Sequence, residues 1–266
     1  MTYSIARLNN LPKEERNRIY LQLVPSAIFE RFQIDPKTLQ NPFGERVVTG
    51  MFPPDENFGC IEVRHRPGDK DCIFSCQVSL EAFMQSLHLD FIIINDPFSE
   101  RFNIDVDEEG KDTLFGARTR NLQEEIRAMK AGLAPGMVRK GLGLLREFLN
   151  GLDAFLDSLG LRTTTINAFF YHNAIHWENH GFTYFRGRKV MEKIHQEFQA
   201  NGLLARKMDN STPFRQQGME QTIRGRSWAI HDGVYREAFG EEWESPIMYK
   251  ILGQTHKVNT FPGQVY

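Results

Sequence analysis

The sequence predicts a mixed fold of the α/β or α+β class, with parallel and antiparallel strands in one sheet. Three observations carry this. Strand-length apolar stretches separated by turn residues fill the region from residue 59 to residue 116. After residue 118 the apolar spacing changes from every second residue to every third and fourth. Helices and strands then alternate until a last strand-like run, "PIMYKIL" (246–252).

Taken in order, "LPKEERNRIYLQLVP" (11–25) opens with Pro12 and acidic Glu14 and Glu15, then stops at Pro25, which predicts a short helix. "SAIFERF" predicts a further helical turn or two, and the proline-rich stretch 35–58 a loop region with one strand at "ERVVTGM". "GCIEVRHR", "PGDKD" and "CIFSCQV" read as strand, turn and strand. "LDFIIIND" (89–96) reads as a buried strand ended by Asp96-Pro97. "RFNIDVD", "EEGK" and "DTLFG" predict a second hairpin with Phe102, Ile104 and Val106 on one face. "RNLQEEIRAMKAG" is helical, and "GLGLLREFLNGLDAFLDSLG" is an amphipathic helix closed by Gly160. There follow a strand "LRTTTIN", a helix "FFYHNAIHWENHG", a strand "FTYFRG", and helices at 187–201 and 228–239.

The charge balance excludes some partners. Net charge is −2 and Lys/Arg are interleaved with Asp/Glu, so no nucleic-acid footprint is present. No apolar run approaches the roughly 20 residues of a membrane span. The first residues, "MTYSIARLNNLPKEERNR", lack the apolar centre of a signal peptide. Three cysteines without framework spacing fit a reducing compartment, so the expected location is the cytoplasm. The 21 Phe and 9 Met predict an aromatic-rich interior.

Four constellations bear on chemistry. His172, His176 and His180 share a helix face, but the first and third are roughly 12 Å apart on a straight helix, too far for one ion. The pattern also lacks the His-Glu-x-x-His arrangement, so no metal is expected. Asp105, Asp107, Glu109 and Gly110 imitate the first half of a calcium loop, but the twelfth position is Gly116, and a plain β-turn is expected. Cys72 and Cys76 read as small buried hydrophobes beside Phe74. "APGMVRKGLGLL" (134–145) is a glycine-containing loop leading into the long helix. Backbone N–H groups at such a helix start suit a phosphate or serve only as a packing device. Arg139 and Lys140 add charge, and Gly141 and Gly143 permit close approach.

The order of loop, long helix, strand, second helix ending in Gly-Phe, short strand and last strand resembles the C-terminal half of the GNAT superfamily of acyl-CoA-dependent N-acyltransferases. Pro135, Gly141 and Gly143 match that family's pyrophosphate loop, "WENHGF" matches its Gly-Phe stretch at Gly181 and Phe182, and "PIMYKIL" matches its last strand. The resemblance covers 133–186 and 246–252. It implies a single GNAT-like domain: an N-terminal helical and loop extension (1–58), a core (59–186 and 246–252), and a helical insertion (187–245). It implies acetyl-CoA or a longer acyl-CoA as donor and a small-molecule amine as acceptor. The donor would be held by Val138, Arg139, Lys140, Gly141, Leu142, Gly143 and Leu144, with Asn173 and Trp177 on the second helix. Val138 stands where the family has Arg or Gln. Trp177 stands where it has a Tyr that protonates the leaving thiolate, and an indole cannot deliver that proton. His180, on the same helix face, is the substitute acid, since imidazole titrates near neutrality. The base belongs on a central strand, with Asp105 and Glu62 as candidates by position. Loss of the acid and of the loop cation also fits a domain of this shape that binds acyl-CoA or a partner without turnover, as a sensor or interaction module.

Overall fold

The computed structural model describes residues 4–81, 85–114, 116 and 118–263. Phe115, in the second arm of the expected hairpin at 102–116, lies outside them. The fold is mixed α/β, and its seven strands form a mixed sheet in the order β1-β2-β3-β4-β5-β7-β6. The chain divides into two compact units, each assembled from three separate segments.

Unit 1 comprises residues 1–99, 141–166 and 250–254. It opens with three short helices: α1 (Ile5–Asn9), α2 (Lys13–Tyr20) and α3 (Ser26–Arg31). Ser4 caps α1 by accepting the Arg7 N–H at 3.1 Å. Four strands then meander antiparallel: β1 (Val48–Met51), β2 (Phe58–Val63), β3 (Phe74–Glu81) and β4 (Ser86–Ile94). β5 (Thr163–Asn167) joins β4 in parallel, reached through the long helix α5 (Leu145–Leu159). Phe148, Leu149, Leu152, Phe155, Leu156 and Leu159 all bury, as their spacing predicts, and Gly160 stops the helix. Gly151 shows how tightly α5 packs on the turn after α2: a Cβ there would lie 2.0 Å from the Gln22 carbonyl oxygen. On one sheet face Ile61, Val63, Phe74, Cys76, Val78, Leu87 and Leu89 are buried and form much of this unit's core.

Unit 2 comprises residues 100–140, 167–249 and 255–266. Its helices are α4 (Leu122–Lys130), α6 (Tyr171–Glu178), α7 (Arg188–Glu197), α8 (Leu203–Arg206), α9 (Ile223–His231) and α10 (Val234–Phe239). β6 (Thr183–Arg186) pairs antiparallel with β7 (Ile247–Ile251). Trp228 is buried, donates its indole N–H to the Leu133 carbonyl at 2.9 Å and stacks on Phe214.

The second predicted hairpin forms only around its turn, where the Asp107 N–H donates to the Lys111 carbonyl and the Thr113 N–H to the Asp105 carbonyl. Between residues 102 and 114 the described residues contain only one isolated bridge, Val106 to Asp112, around a turn. The alternation of Phe102 and Ile104 is instead satisfied by a small cluster with Ala128 of α4 and Leu133. An apolar alternation reports burial on one side, and a helix can supply that side as well as a strand. The turn itself is held by Asp107, whose Oδ1 accepts the N–H groups of Glu109 and Lys111.

Candidate functional site

The loop that precedes α5 returns to the strand the chain left 46 positions earlier in numbering, from Asn95 to Gly141. These two residues form an antiparallel bridge, and the Leu142 N–H donates to the Ile94 carbonyl at 3.3 Å. Asn95 is itself pinned: its backbone N–H donates to the Ile73 carbonyl and its Nδ2 to the Cys72 carbonyl. The excursion 96–140 is therefore spliced between two adjacent points, and α5 starts at the C-terminal end of β4. Leu144 stands at the N-cap, and its side chain does not cap the first-turn N–H groups of α5. Gly143 has φ +73°, a left-handed conformation that favours glycine, and a Cβ there would meet nothing within 4 Å.

β4 and β5 are in register over only three residue pairs, Leu87–Thr164, His88–Thr165 and Leu89–Ile166. Beyond them β4 continues through Phe91, Ile92, Ile93 and Ile94, all half-buried despite being apolar. The irregularity lies opposite β3: Gln77 faces Phe91 and Val78 faces Leu89, leaving Asp90 as the extra residue of a β-bulge. The sheet face opposite the apolar one carries Glu62, Ser75, Gln77, Ser79, His88 and Thr165, and register sets Ser79, His88 and Thr165 side by side across three strands. The His88 Nδ1 is 2.9 Å from the Thr165 Oγ1. The Ser79 hydroxyl donates to Asp90 Oδ1 at 3.0 Å, while Asp90 Oδ2 is buried and has no hydrogen-bond partner among the described residues. Asp90 and His88 were missed in the sequence because "LDFIIIND" reads as an apolar strand beginning at Leu89. The available signal was a carboxylate inside an otherwise apolar run.

The residues singled out from the sequence fall in both units. Glu62 lies on β2 in unit 1, away from the sheet centre, and accepts Arg64 Nη1 at 2.5 Å. Gly141, Leu142, Gly143 and Leu144 belong to unit 1. Asp105, expected on a strand, is in a turn of unit 2 and pairs with Arg101 at 2.7 Å. Val138, Arg139 and Lys140 also belong to unit 2. The Val138 carbonyl accepts the Phe102 N–H at 2.9 Å, and its side chain packs on the Phe102–Ile104 cluster. Arg139 is half-buried and Lys140 exposed.

On α6 the three histidines behave differently. His172 is buried; its Nδ1 lies 2.9 Å from the Ser227 hydroxyl, and the Asn173 Nδ2 donates to its Nε2 at 3.2 Å. Burial, with the neighbouring His176 and His231, pushes its pKa down to about 3. Burial and the nearby His180 likewise lower His176 to about 4. His180 must carry a proton on Nδ1, because that nitrogen donates to the His176 carbonyl at 2.8 Å. In a neutral ring this leaves Nε2 as an acceptor, better suited to taking a proton than giving one. Asn173 Oδ1 accepts the Phe170 N–H and fastens the first turn. Trp177 is 5% exposed and packs on Phe182, with ring centroids 5.0 Å apart.

Near the end of the chain, Glu178 is buried and accepts the Tyr184 hydroxyl together with the N–H and hydroxyl of Thr260. Among the described residues no group of three or more His, Cys, Asp or Glu could hold a metal ion, and no helix is long and apolar enough to cross a membrane. No family model, no curated protein and no solved structure matches this chain.

Proposed function

We propose that the chain is an N-acyltransferase of the GNAT type that moves an acyl group from acetyl-CoA or a longer acyl-CoA to an amine, and that unit 1 receives the donor. One observation carries the reading: the Asn95–Gly141 bridge sets the uncapped start of α5 at the C-terminal end of β4, just past the point where β5 ceases to pair with it. Free N–H groups and the positive end of a 15-residue helix suit a pyrophosphate. The half-buried Phe91–Ile94 run offers an apolar, strand-like surface for the amide-bearing arm of the thioester. Holding donor and amine together supplies much of the rate in such a transfer.

A second reading is favoured by Val138 and Trp177. The first packs on the cluster of its own unit where the family has a cation, and the second is buried where the family has an acid. Both departures fit a domain that binds acyl-CoA without turnover.

Calorimetric titration with acetyl-CoA and decanoyl-CoA tests the site. Gly143→Asp is the informative variant, because Asp tolerates the left-handed conformation and its side chain enters open space. Gly141 is a poorer choice, since a Cβ there would press on the Ile94 carbonyl at 3.2 Å. The expected result is binding weakened at least about tenfold by Gly143→Asp, equivalent to ~1.4 kcal/mol, and little changed by Gly143→Asn. Absence of binding by the unmodified chain to either thioester sinks both readings. Thiol release in the presence of amines then separates catalysis from sensing.

A further inference from the structure

We propose that Asp90 is the residue that receives the acceptor amine and takes its proton, which rests on the acyltransferase reading above. A carboxyl group in a sheet interior needs donors on both oxygens, because an unmet buried polar atom costs more than a hydrogen bond returns. Asp90 has a donor on one oxygen only. Ser79 serves Oδ1, Oδ2 is buried and unserved, and no cation lies within ion-pair distance of Asp90 among the described residues. Ser86 and Thr164 also carry buried hydroxyls without partners. A hydroxyl, however, is a weaker polar group than a carboxyl, and neither of those residues sits at a backbone irregularity.

Alternation along β4 aims Asp90, and the bulge leaves it without a residue opposite it on β3. Leu87 and Leu89 are buried on the apolar face, so alternation sends residue 90 to the opposite face with His88, and the extra residue lets Phe91 face Gln77 on that same side. It lies beside Ser79, which donates to it, on the face of His88, whose ring Thr165 fixes. Asp90 also lies one residue before the run Phe91–Ile94, which continues past the last paired residue of β5. An ammonium N–H would supply the donor that Oδ2 lacks.

The chemistry balances. Asp90 takes one proton from the substrate ammonium and leaves a neutral amine. The amine nitrogen attacks the thioester carbonyl carbon; the C–N bond forms and the C–S bond breaks. The second nitrogen proton ends on the departing thiolate, and Asp90 returns its proton to water after the amide leaves.

The test uses the full chain with decanoyl-CoA and n-hexylamine, reading thiol release, donor binding by calorimetry, and melting temperature. Asp90→Asn is expected to bind decanoyl-CoA within about threefold of the unmodified chain while thiol release falls at least about 100-fold. Its melting temperature should hold or rise, because a neutral amide is cheaper than a charged carboxyl to leave partly unmet; a merely structural aspartate would lower it. Ser79→Ala should raise the KM for hexylamine several-fold with a smaller change in kcat, and Asp90→Glu should recover part of the activity. Thiol release by Asp90→Asn within threefold of the unmodified chain overturns the inference. So does an unmodified chain that binds decanoyl-CoA but releases no thiol with hexylamine. If it does not bind decanoyl-CoA at all, the acyltransferase reading itself has failed.

Discussion

Two polar regions of this molecule invite comparison. In unit 2, Arg120, Glu125, Arg215, His231, Asp232 and Glu237 form a network in which the carboxylates are met on both oxygens. Asp232 receives Arg120 on Oδ1, and Arg215 and Thr212 on Oδ2. Glu125 receives Arg120 on one oxygen and faces His231 on the other. Burial alone would raise the Glu125 pKa, but the hydrogen bonds from His231 and Arg120 outweigh it and hold the group below its ordinary value. In unit 1, Asp90 has one oxygen met by a serine and one met by nothing. A saturated network ties segments together and has no capacity left. An unsaturated carboxyl in the middle of a sheet keeps capacity for a partner that arrives later.

The sharpest way to break this comparison is to make the same substitution in both regions. Asp232→Asn removes the charge that answers two guanidinium groups, one of them on buried Arg215, and should cost about 3 to 5 kcal/mol in denaturant unfolding. Asp90→Asn in the same assay should cost nothing. If both destabilise equally, the distinction between scaffold and site falls.

A smaller effect should appear on acidification. His172 and His176 are held neutral in the folded chain, with pKa values of about 3 and about 4 against 6.5 for the free group. The unfolded chain therefore binds protons first as pH falls. Stability from these groups is complete above about pH 6.5 and is lost progressively down to about pH 4 for His176 and about pH 3 for His172, by at most about 1.4 kcal/mol per pH unit for each. His172→Gln should narrow the difference in unfolding free energy between pH 7.5 and pH 5. An unchanged difference would show that another group controls acid unfolding.

The smallest effect expected is from Thr260→Val. Glu178 would keep the Tyr184 hydroxyl and the residue-260 N–H, so the loss should be about 1 kcal/mol by urea denaturation. A loss as large as that of Asp232→Asn would mean that this contact anchors the whole of unit 2.

The periodic elements were legible in the sequence, because burial of one face leaves a pattern along the chain. The strand at "LRTTTIN", the helix at 145–159 and the strand at "PIMYKIL" all form where their spacing places them. Features that depend on register were not legible. Nothing local reveals that Asn95 bridges to Gly141, or that Asp90 is the extra residue in its strand. The expected hairpin at 102–116 is shortened to the bridge at Val106 and Asp112 for a related reason, since alternation at Phe102 and Ile104 fits a helix packed across it as well as a paired strand. His180 was legible as a titratable group, but its orientation, with Nδ1 on a carbonyl, depends on local helix geometry that composition cannot give.

The discontinuity of unit 1 bears on how the chain is made. Arg162 and Leu252 exchange hydrogen bonds across a sequence separation of 90 residues, and Lys250 pairs with Asp153. While the ribosome is still making residues 167–249, β5 has β4 on one side and an open edge on the other. Thr163, Thr164, Thr165 and Ile166 are β-branched, and an unpaired edge of that kind is a template for strands of other molecules. Polypeptides released before residue 250 should accumulate as aggregates in translation, whereas full-length chains close the edge with their own strand.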